Sequence, residues 1–341
     1  MSKNKKNIYY TCAAILAAAC LVLVYYYFFS PMSTSDKTCY IYIDDNDNID
    51  SIYKKVGEVS NGHSVMGFRT LARHFDLDDN IPTGRYALEP SDGAFILLHH
   101  IRNKMQQPLS LTIPEVRTPE KLAAYLGEKL MIDSATVIKA FNDTSVCHSY
   151  GLVPETMITL FIPNTYEVYW DTSMDKFLRR MQQESRNFWD KGRMAKAAAL
   201  GLTVEEVMTL ASIIDEETAN NAEKPMVAGM YLNRLQSGMP LQADPTIRYA
   251  LNDFTIRRVR NNMLFVRSPY NTYTNKGLPP GPIRIPSVAS IDAVLNAVNH
   301  DYYYMCAKED FSGTHNFART YAEHLKNAAR YAEALNKRGI E

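Results

Sequence analysis

The chain opens with an apolar run from Ile8 to Phe29, broken only by Thr11 and a few tyrosines. About 20 such residues suffice for a helix to cross the hydrocarbon core of a bilayer. Tyr9 and Tyr10 at one end, with Tyr25, Tyr26 and Tyr27 at the other, fit interfacial aromatic belts. Lys3, Lys5 and Lys6 precede the run, a flank that predicts a cytoplasmic N-terminus with the rest of the chain outside. The competing expectation is a cleaved signal peptide, since Ala17-Ala18-Ala19-Cys20 has some likeness to a lipoprotein cleavage site. The run continues well past Cys20, longer than a usual signal core, which favours an uncleaved anchor.

A short polar linker, Ser30 to Lys37, follows, and the pattern then alternates. Cys39–Ile43 reads as a strand, with turn residues after it and a helix from about Ile49. Phe68–Phe75 predicts a second helical piece, Gly84–Leu88 a strand, Gly93–Met105 a helix and Leu109–Val116 a strand. Thr118-Pro119 opens further helices to about Phe141, with proline where its missing N–H costs nothing. Met174–Asp190 predicts an amphipathic helix, whose Phe177, Met181 and Phe188 read as core. A helix opening at Pro225 should end at Gly238, and Asn233 and Arg234 within it read as surface polar contacts. The remainder predicts a helix over Ser290–Asn299, a hairpin of Tyr302–Ala307 with His315–Thr320, and a terminal helix. The whole is α+β, mostly helical after residue 118.

The stretch Thr203–Tyr249 holds the candidate chemistry. Thr203 and Glu206 fit a capping box. Val207, Leu210, Ala211 and Ile214 then recur on one helix face. Glu205, Thr209, Ser212 and Glu216 fall opposite, so Glu216 is expected to point to water, while Asp215 and Glu217 lie on the two margins of the apolar stripe. A glutamate bordering a core holds its proton more tightly, because desolvation disfavours its charged form, and a general acid near neutral pH needs that. On this segment alone, a solvated acidic helix end is the simpler reading.

Composition adds mainly exclusions. The 341 residues carry 37 basic and 37 acidic side chains and no formal net charge, which gives no nucleic-acid footprint. Cys12, Cys20, Cys39, Cys147 and Cys306 are too scattered for a disulfide framework or a metal knuckle, and no disulfide is expected. His99 and His100, adjacent on a helix, do not face each other. No metal and no cofactor are expected.

The blocks LASIIDEET at Leu210–Thr218, VAGMYLNRLQSGMPLQADPT at Val227–Thr246, SPYNTY at Ser268–Tyr273 and GLPPGPI at Gly277–Ile283 change the weighting. In order and spacing they resemble the YceG/MltG family of endolytic murein transglycosylases, over roughly Leu202 to His324 and more weakly back to residue 40. The chain departs from the family pattern at Asp215, where Glu is usual, at Glu216, where Lys is usual, and at Leu325, where the closing block usually has Asn. The resemblance implies Glu217 as catalytic acid, with Gln242 and Asp244 of the QxDPT block lining the site. It also brings in Asn271 and Tyr273 (or Tyr270) as groups for sugar hydroxyls, acetamides and ring faces, and His315 as a further site residue, ahead of His324. For any one residue of these proline-rich segments, a structural loop packed on the catalytic helix is an equal alternative. Leu160–Tyr166 resembles another family block, expected as a turn near the cleft.

The implied organisation is an anchor over 1–30, a LysM-like module over 38–117 and a YceG-like catalytic domain over 118–341. The implied activity is cleavage of the MurNAc–GlcNAc β-1,4 bond inside nascent strands, giving 1,6-anhydroMurNAc ends and terminating elongation. The implied partners are peptidoglycan glycan strands, the inner membrane and peptidoglycan synthases, with no nucleic acid. The implied place is the cell inner membrane, single-pass, with the catalytic domain periplasmic. Two rivals remain: a non-catalytic, membrane-anchored wall-binding protein, and a muramidase-type hydrolase pairing Glu217 with Asp244. Among the acidic trio only Glu217 is expected to be indispensable, with Glu216→Gln nearly silent and Asp215→Asn costing little activity.

Overall fold

In the computed structural model, which describes residues 3–339 and no side chains before Lys5, helix α1 (Lys3–Val24) runs into a wider π turn over Tyr25–Phe29. Together they give a helix, Lys5–Phe29, long and apolar enough to cross a membrane. The first two residues of the expected anchor, and the side chain of Lys3, lie outside the described residues.

The chain divides into two units, the first being Met1–Leu111 with Lys129–Ile132 and Glu167–Ser173. In it β1 (Cys39–Ile43) pairs antiparallel with β2 (Gly84–Leu88), Cys39 opposite Leu88 and Ile43 opposite Gly84. Between them lie α2 (Ile49–Val59) and α3 (Gly62–His74), and α4 (Ala94–Arg102) follows. The alternation of β1 explains its facing: Ile41 and Ile43 are buried while Tyr40 and Tyr42 stay exposed. Asn48 and Ser51 form a reciprocal capping box that starts α2, and Asn61 caps α3, so this helix begins six residues before the expected Phe68. The polar linker is not loose. Met32 is fully buried, its N–H donating to Asp92 O at 2.8 Å and its carbonyl accepting from Asn61 N at 2.9 Å. Gly67 and Gly93 seat the end of the first helix, since a Cβ there would meet Tyr27 O at 1.9 Å and the Phe28–Phe29 backbone at 2.8 Å.

The second unit is Thr112–Glu128, Asp133–Tyr166 and Met174–Glu341. The chain passes between the units within β3 (Leu109–Thr112) and β4 (Thr165–Val168). Pro114 ends β3 short of the expected Val116, because a proline cannot donate to a ladder. Helices α5 (Pro119–Lys129), α6 (Ser134–Asn142), α7 (Thr144–Ser149), α8 (Met174–Phe188) and α9 (Lys191–Leu200) precede the central α10 (Val204–Glu217). Then come α11 (Lys224–Gln236), α12 (Asp244–Ala250), α13 (Val288–Leu295), the antiparallel hairpin β5 (Tyr304–Ala307) and β6 (His315–Ala318), and α14 (Tyr321–Lys337).

Helix α10 starts as expected: Thr203 Oγ1 accepts from Glu206 N, and Glu206 Oε2 accepts from Thr203 N at 2.8 Å. Its second half departs from the two-faced picture. Thr209 and Ser212, expected towards water, are buried along with the apolar face. Ser212 Oγ donates to Thr209 O at 2.7 Å and accepts from Ile283 N at 3.0 Å, which ties the proline-rich GLPPGPI segment to the helix. A helix buried all round is the core of its domain. Its C-terminal turn is therefore held from several sides, which fixes where three successive carboxylates point.

Candidate active site

Glu217, the last residue of α10, lines a polar pocket of about 400 Å³ together with Gln242, Asp244, Tyr273, His315 and His324 among others. The phenol of Tyr231, on α11, donates to Glu217 Oε1 at 2.7 Å. Burial pushes the Glu217 carboxyl up to about 7. The Tyr231 bond opposes this, the negative charge of Asp244 adds to it, and Arg248, together with His315 whenever its ring is protonated, draws it partly back. The result is a carboxyl that is substantially protonated near neutral pH and can still lose its proton.

The opposite wall is built from the QADPT turn. Gly238 ends α11 at φ 66°, and Gln242 follows at φ 52°, a left-handed conformation that non-glycine residues rarely take. Such strain persists only where the surroundings hold it. Here Gln242 N donates to Thr272 O and Ala243 N to Thr272 Oγ1, both at 3.0 Å. Thr246 Oγ1 lies 2.8 Å from the same hydroxyl. The SPYNTY block thus staples the turn in place. Asp244 stands at the first helical position of α12 with no capping bond. Its carboxylate instead accepts from the Tyr273 phenol at 2.5 Å. Burial, and then that bond, push the Tyr273 phenol well above its ordinary range.

The sequence model of the YceG-like family matches residues 41–330. The chain belongs to that family. An endolytic murein transglycosylase from Bacillus subtilis is 35% identical over 170 residues, covering 49% of this chain and 46% of that protein. One from Streptococcus pneumoniae is 25% identical over 339 residues, covering 89% of this chain and 60% of that one. The chain thus spans about half to three-fifths of these relatives' lengths. A crystal structure of a YceG-like protein from Listeria monocytogenes superposes with a TM-score of 0.55 at 28% identity, over 86% of this chain and 99% of that one.

In this YceG-like chain Glu217, Gln242, Asp244, Tyr273 and His315 converge on one pocket. Asn271 does not join them. It is fully buried, its amide donating to Leu264 O and Val266 O at 2.9 Å and its Oδ1 accepting from Tyr273 N at 2.9 Å. Both amide hydrogens are thus spent and the buried side chain is out of reach of a sugar; it sets the backbone that carries Tyr273. Tyr270 packs on Tyr249, ring centroids 4.7 Å apart, also outside the pocket lining.

The other two carboxylates in the last turn of α10 refine the sequence expectation. Glu216 does not face water: its side chain is 8% exposed, bidentate to Arg117 at 2.8 and 2.9 Å, and bonded to Arg284 at 3.0 Å. Asp215, 5% exposed, accepts from Lys224 Nζ at 2.7 Å, Ser287 N at 2.5 Å, Ser287 Oγ at 2.8 Å and Ser290 Oγ at 2.5 Å. Burial alone would raise its pKa; Lys224, Ser290 and Ser287 outweigh that and hold it below the usual range.

Asn233 and Arg234, expected as surface contacts, are staples. Asn233 donates to His300 O and Tyr302 O, and buried Arg234 donates to Tyr303 O at 2.6 Å and Leu241 O at 2.7 Å. Sequence reasoning missed Tyr231 and Glu223, which bond Glu217 and His315 respectively. Neither carries a local signal, since each reads as an ordinary helix or loop residue until the chain folds.

Proposed function

We propose that this protein is a membrane-anchored endolytic lytic transglycosylase acting on nascent peptidoglycan strands. The observation that carries the reading is Glu217, a carboxyl raised to about 7 in a polar pocket. Ordinary glycosidases use two carboxylates, one as acid and one as base or nucleophile. One suffices when the sugar supplies its own nucleophile. The Glu217 proton passes to the glycosidic oxygen between MurNAc and GlcNAc, the C1–O bond breaks, and the leaving strand departs as an alcohol. The C6 hydroxyl oxygen of the same MurNAc then bonds to C1, its proton returns to Glu217, and a 1,6-anhydro end remains without consumption of water. The negative charge of Asp244 suits the oxocarbenium character that develops between these steps. Gln242, Tyr273 and His315 hold the sugar, with Tyr273 also orienting Asp244.

The strand–helix–helix–strand order of β1, α2, α3 and β2, closed as an antiparallel pair, supports a LysM-like role for the N-terminal module. The Lys5–Phe29 helix supports a single-pass anchor, and the lysine flank an inner-membrane protein with its catalytic domain periplasmic. Cuts inside new strands would terminate their elongation, which makes peptidoglycan synthases the natural partners.

A muramidase-type hydrolysis is the second reading, favoured by the presence of Asp244 in the same pocket as Glu217. Mass spectrometry of products from uncrosslinked strands decides between them. Anhydro ends, lighter than reducing ends by one water, are expected, with intermediate lengths appearing before small fragments. Hydrated reducing ends would establish the hydrolase instead.

A further inference from the structure

Glu223 lies in the short loop between α10 and α11 and is 9% exposed. Its Oε1 accepts from the backbone N–H of His315 at 2.6 Å, and its Oε2 pairs with the ring Nδ1 of His315 at 2.9 Å. Thr218 Oγ1 donates to the same Oε2 at 3.3 Å. Thr218 follows Glu217 directly and its backbone N–H closes α10 onto Ile214 O, so the catalytic carboxyl and this pair share one rigid frame. Among the described residues no hydrogen bond engages Nε2 of His315, although the residue lines the pocket with Glu217, Gln242 and Asp244.

We propose that Glu223 is a positioning residue that fixes the tautomer and orientation of His315, so that the imidazole offers its Nε2 lone pair to a hydroxyl of the bound sugar. This rests on the glycan-cleaving reading of the pocket. A carboxylate already accepting from a backbone N–H and a threonine hydroxyl is an acceptor for the ring too, which puts the ring hydrogen on Nδ1. In a neutral imidazole the other nitrogen then carries the lone pair. The ring edge turned away from Glu223 is the one left for the pocket. A carboxylate that holds a histidine by Nδ1–H sets both its tautomer and its angle, and reversing the tautomer disables the histidine without moving it.

Glu223→Gln is the informative change. The backbone N–H of His315 requires an acceptor, so the amide oxygen stays there and the NH₂ turns to Nδ1. The ring hydrogen then moves to Nε2, and the acceptor in the pocket is lost. In the full-length protein in detergent, kcat/KM on uncrosslinked strands should fall roughly 10–100-fold, the loss typical when a metal-bound histidine loses the group that holds its other ring nitrogen. His315→Ala should fall by a similar factor. The double variant should match His315→Ala within about twofold, because Glu223 acts through that ring. Ring ¹⁵N spectra, assigned with His315→Ala, should show the neutral ring protonated on Nδ1 in the parent and on Nε2 in Glu223→Gln. A folded Glu223→Gln protein of parental activity, losses that multiply in the double variant, or an unchanged tautomer would each overturn the proposal. Failure of the parent protein to shorten strands would fail the glycan reading, and with it the sugar-hydroxyl half of this one. The nitrogen spectra judge the hold of Glu223 on the ring independently.

Discussion

On one side of the last turn of α10, Asp215 and Glu216 are surrounded by Lys224, Arg117, Arg284 and serine donors. On the other side Glu217 has one phenol, and the nearest charge effects include a second carboxylate. All three side chains are withdrawn from water. Their chemistry diverges because burial penalises a charge only until it is compensated. The compensated Asp215 sits below its ordinary range and serves as a brace. The under-compensated Glu217 is pushed to about 7, which suits the proton donor proposed for it.

The largest break in that contrast comes from Glu217→Gln. The amide can still accept from Tyr231 but has no proton to transfer, so turnover on glycan strands should fall by at least the roughly 10²–10⁴-fold typical of general acid–base catalysis. In the parent, kcat/KM should decline as pH rises through about 7, where the donor loses its proton. Stability should move the opposite way in the variant. The folded protein holds the Glu217 proton at pH values where the unfolded chain, with its ordinary value of 4.5, has released it. Parental stability therefore falls between about pH 4.5 and 7, and the glutamine variant escapes that fall. Melts should show the variant level with the parent in acid and more stable at pH 8. A folded variant with near-parental rate would hand the catalytic role to Asp244.

Asp215→Asn probes the other side and should act on stability, not chemistry. It leaves Lys224, itself buried, without its counter-charge, and weakens the bonds that hold the start of α13 through Ser287 and Ser290. Removing one partner of a buried pair costs about 3–5 kcal/mol. The sign with pH reverses that of Glu217. A carboxylate held below its ordinary value stabilises the fold above the unfolded pKa, and the contribution is lost as pH falls through the folded one. The gap in Tm between parent and variant should therefore be wide at pH 7 and close in acid. A variant melting with the parent at pH 7 would show that the serines alone retain the brace.

How much of this was legible follows from how far apart the partners lie in the chain. The capping box at Thr203 and Glu206, strand β2 over Gly84–Leu88 and the apolar helix before residue 30 are local patterns, and the sequence carries them in full. The margin position of Glu217 was equally local, since it follows from helical spacing. The fates of Asp215 and Glu216 were not. Arg117 is 99 positions from Glu216, and Ser287 is 72 from Asp215, so no window of sequence contains both partners. The assumption of one buried face also failed, because α10 is enclosed by α11, α13 and the GLPPGPI segment together. Asn271 shows the same limit in a loop. Its amide has the groups to meet a sugar, but the carbonyls of Leu264 and Val266 reach it first.

The smallest effect is expected at Glu216, and it sharpens the contrast by testing whether compensation must be ionic. Glu216→Gln keeps the length and one acceptor oxygen while removing the negative charge shared by Arg117 and Arg284. Arg117 is 39% exposed and can turn to solvent, and Arg284 keeps a second carboxylate, Glu115, at 3.1 Å. Each guanidinium therefore retains an outlet, unlike Lys224 beside Asp215. The loss should be about 1.5–3 kcal/mol, in the range of hydrogen bonds to charged groups and not of an orphaned buried charge. It should diminish with added salt, because Arg117 reaches the surface where ions screen it. Activity per folded molecule should stay within about twofold of the parent, since the side chain points away from the pocket wall. Denaturant melts at low and high salt check the first part, and strand cleavage by the same preparations checks the second. A loss as large as that of Asp215→Asn would mean that the arginine pair braces α10 as firmly as the buried lysine does.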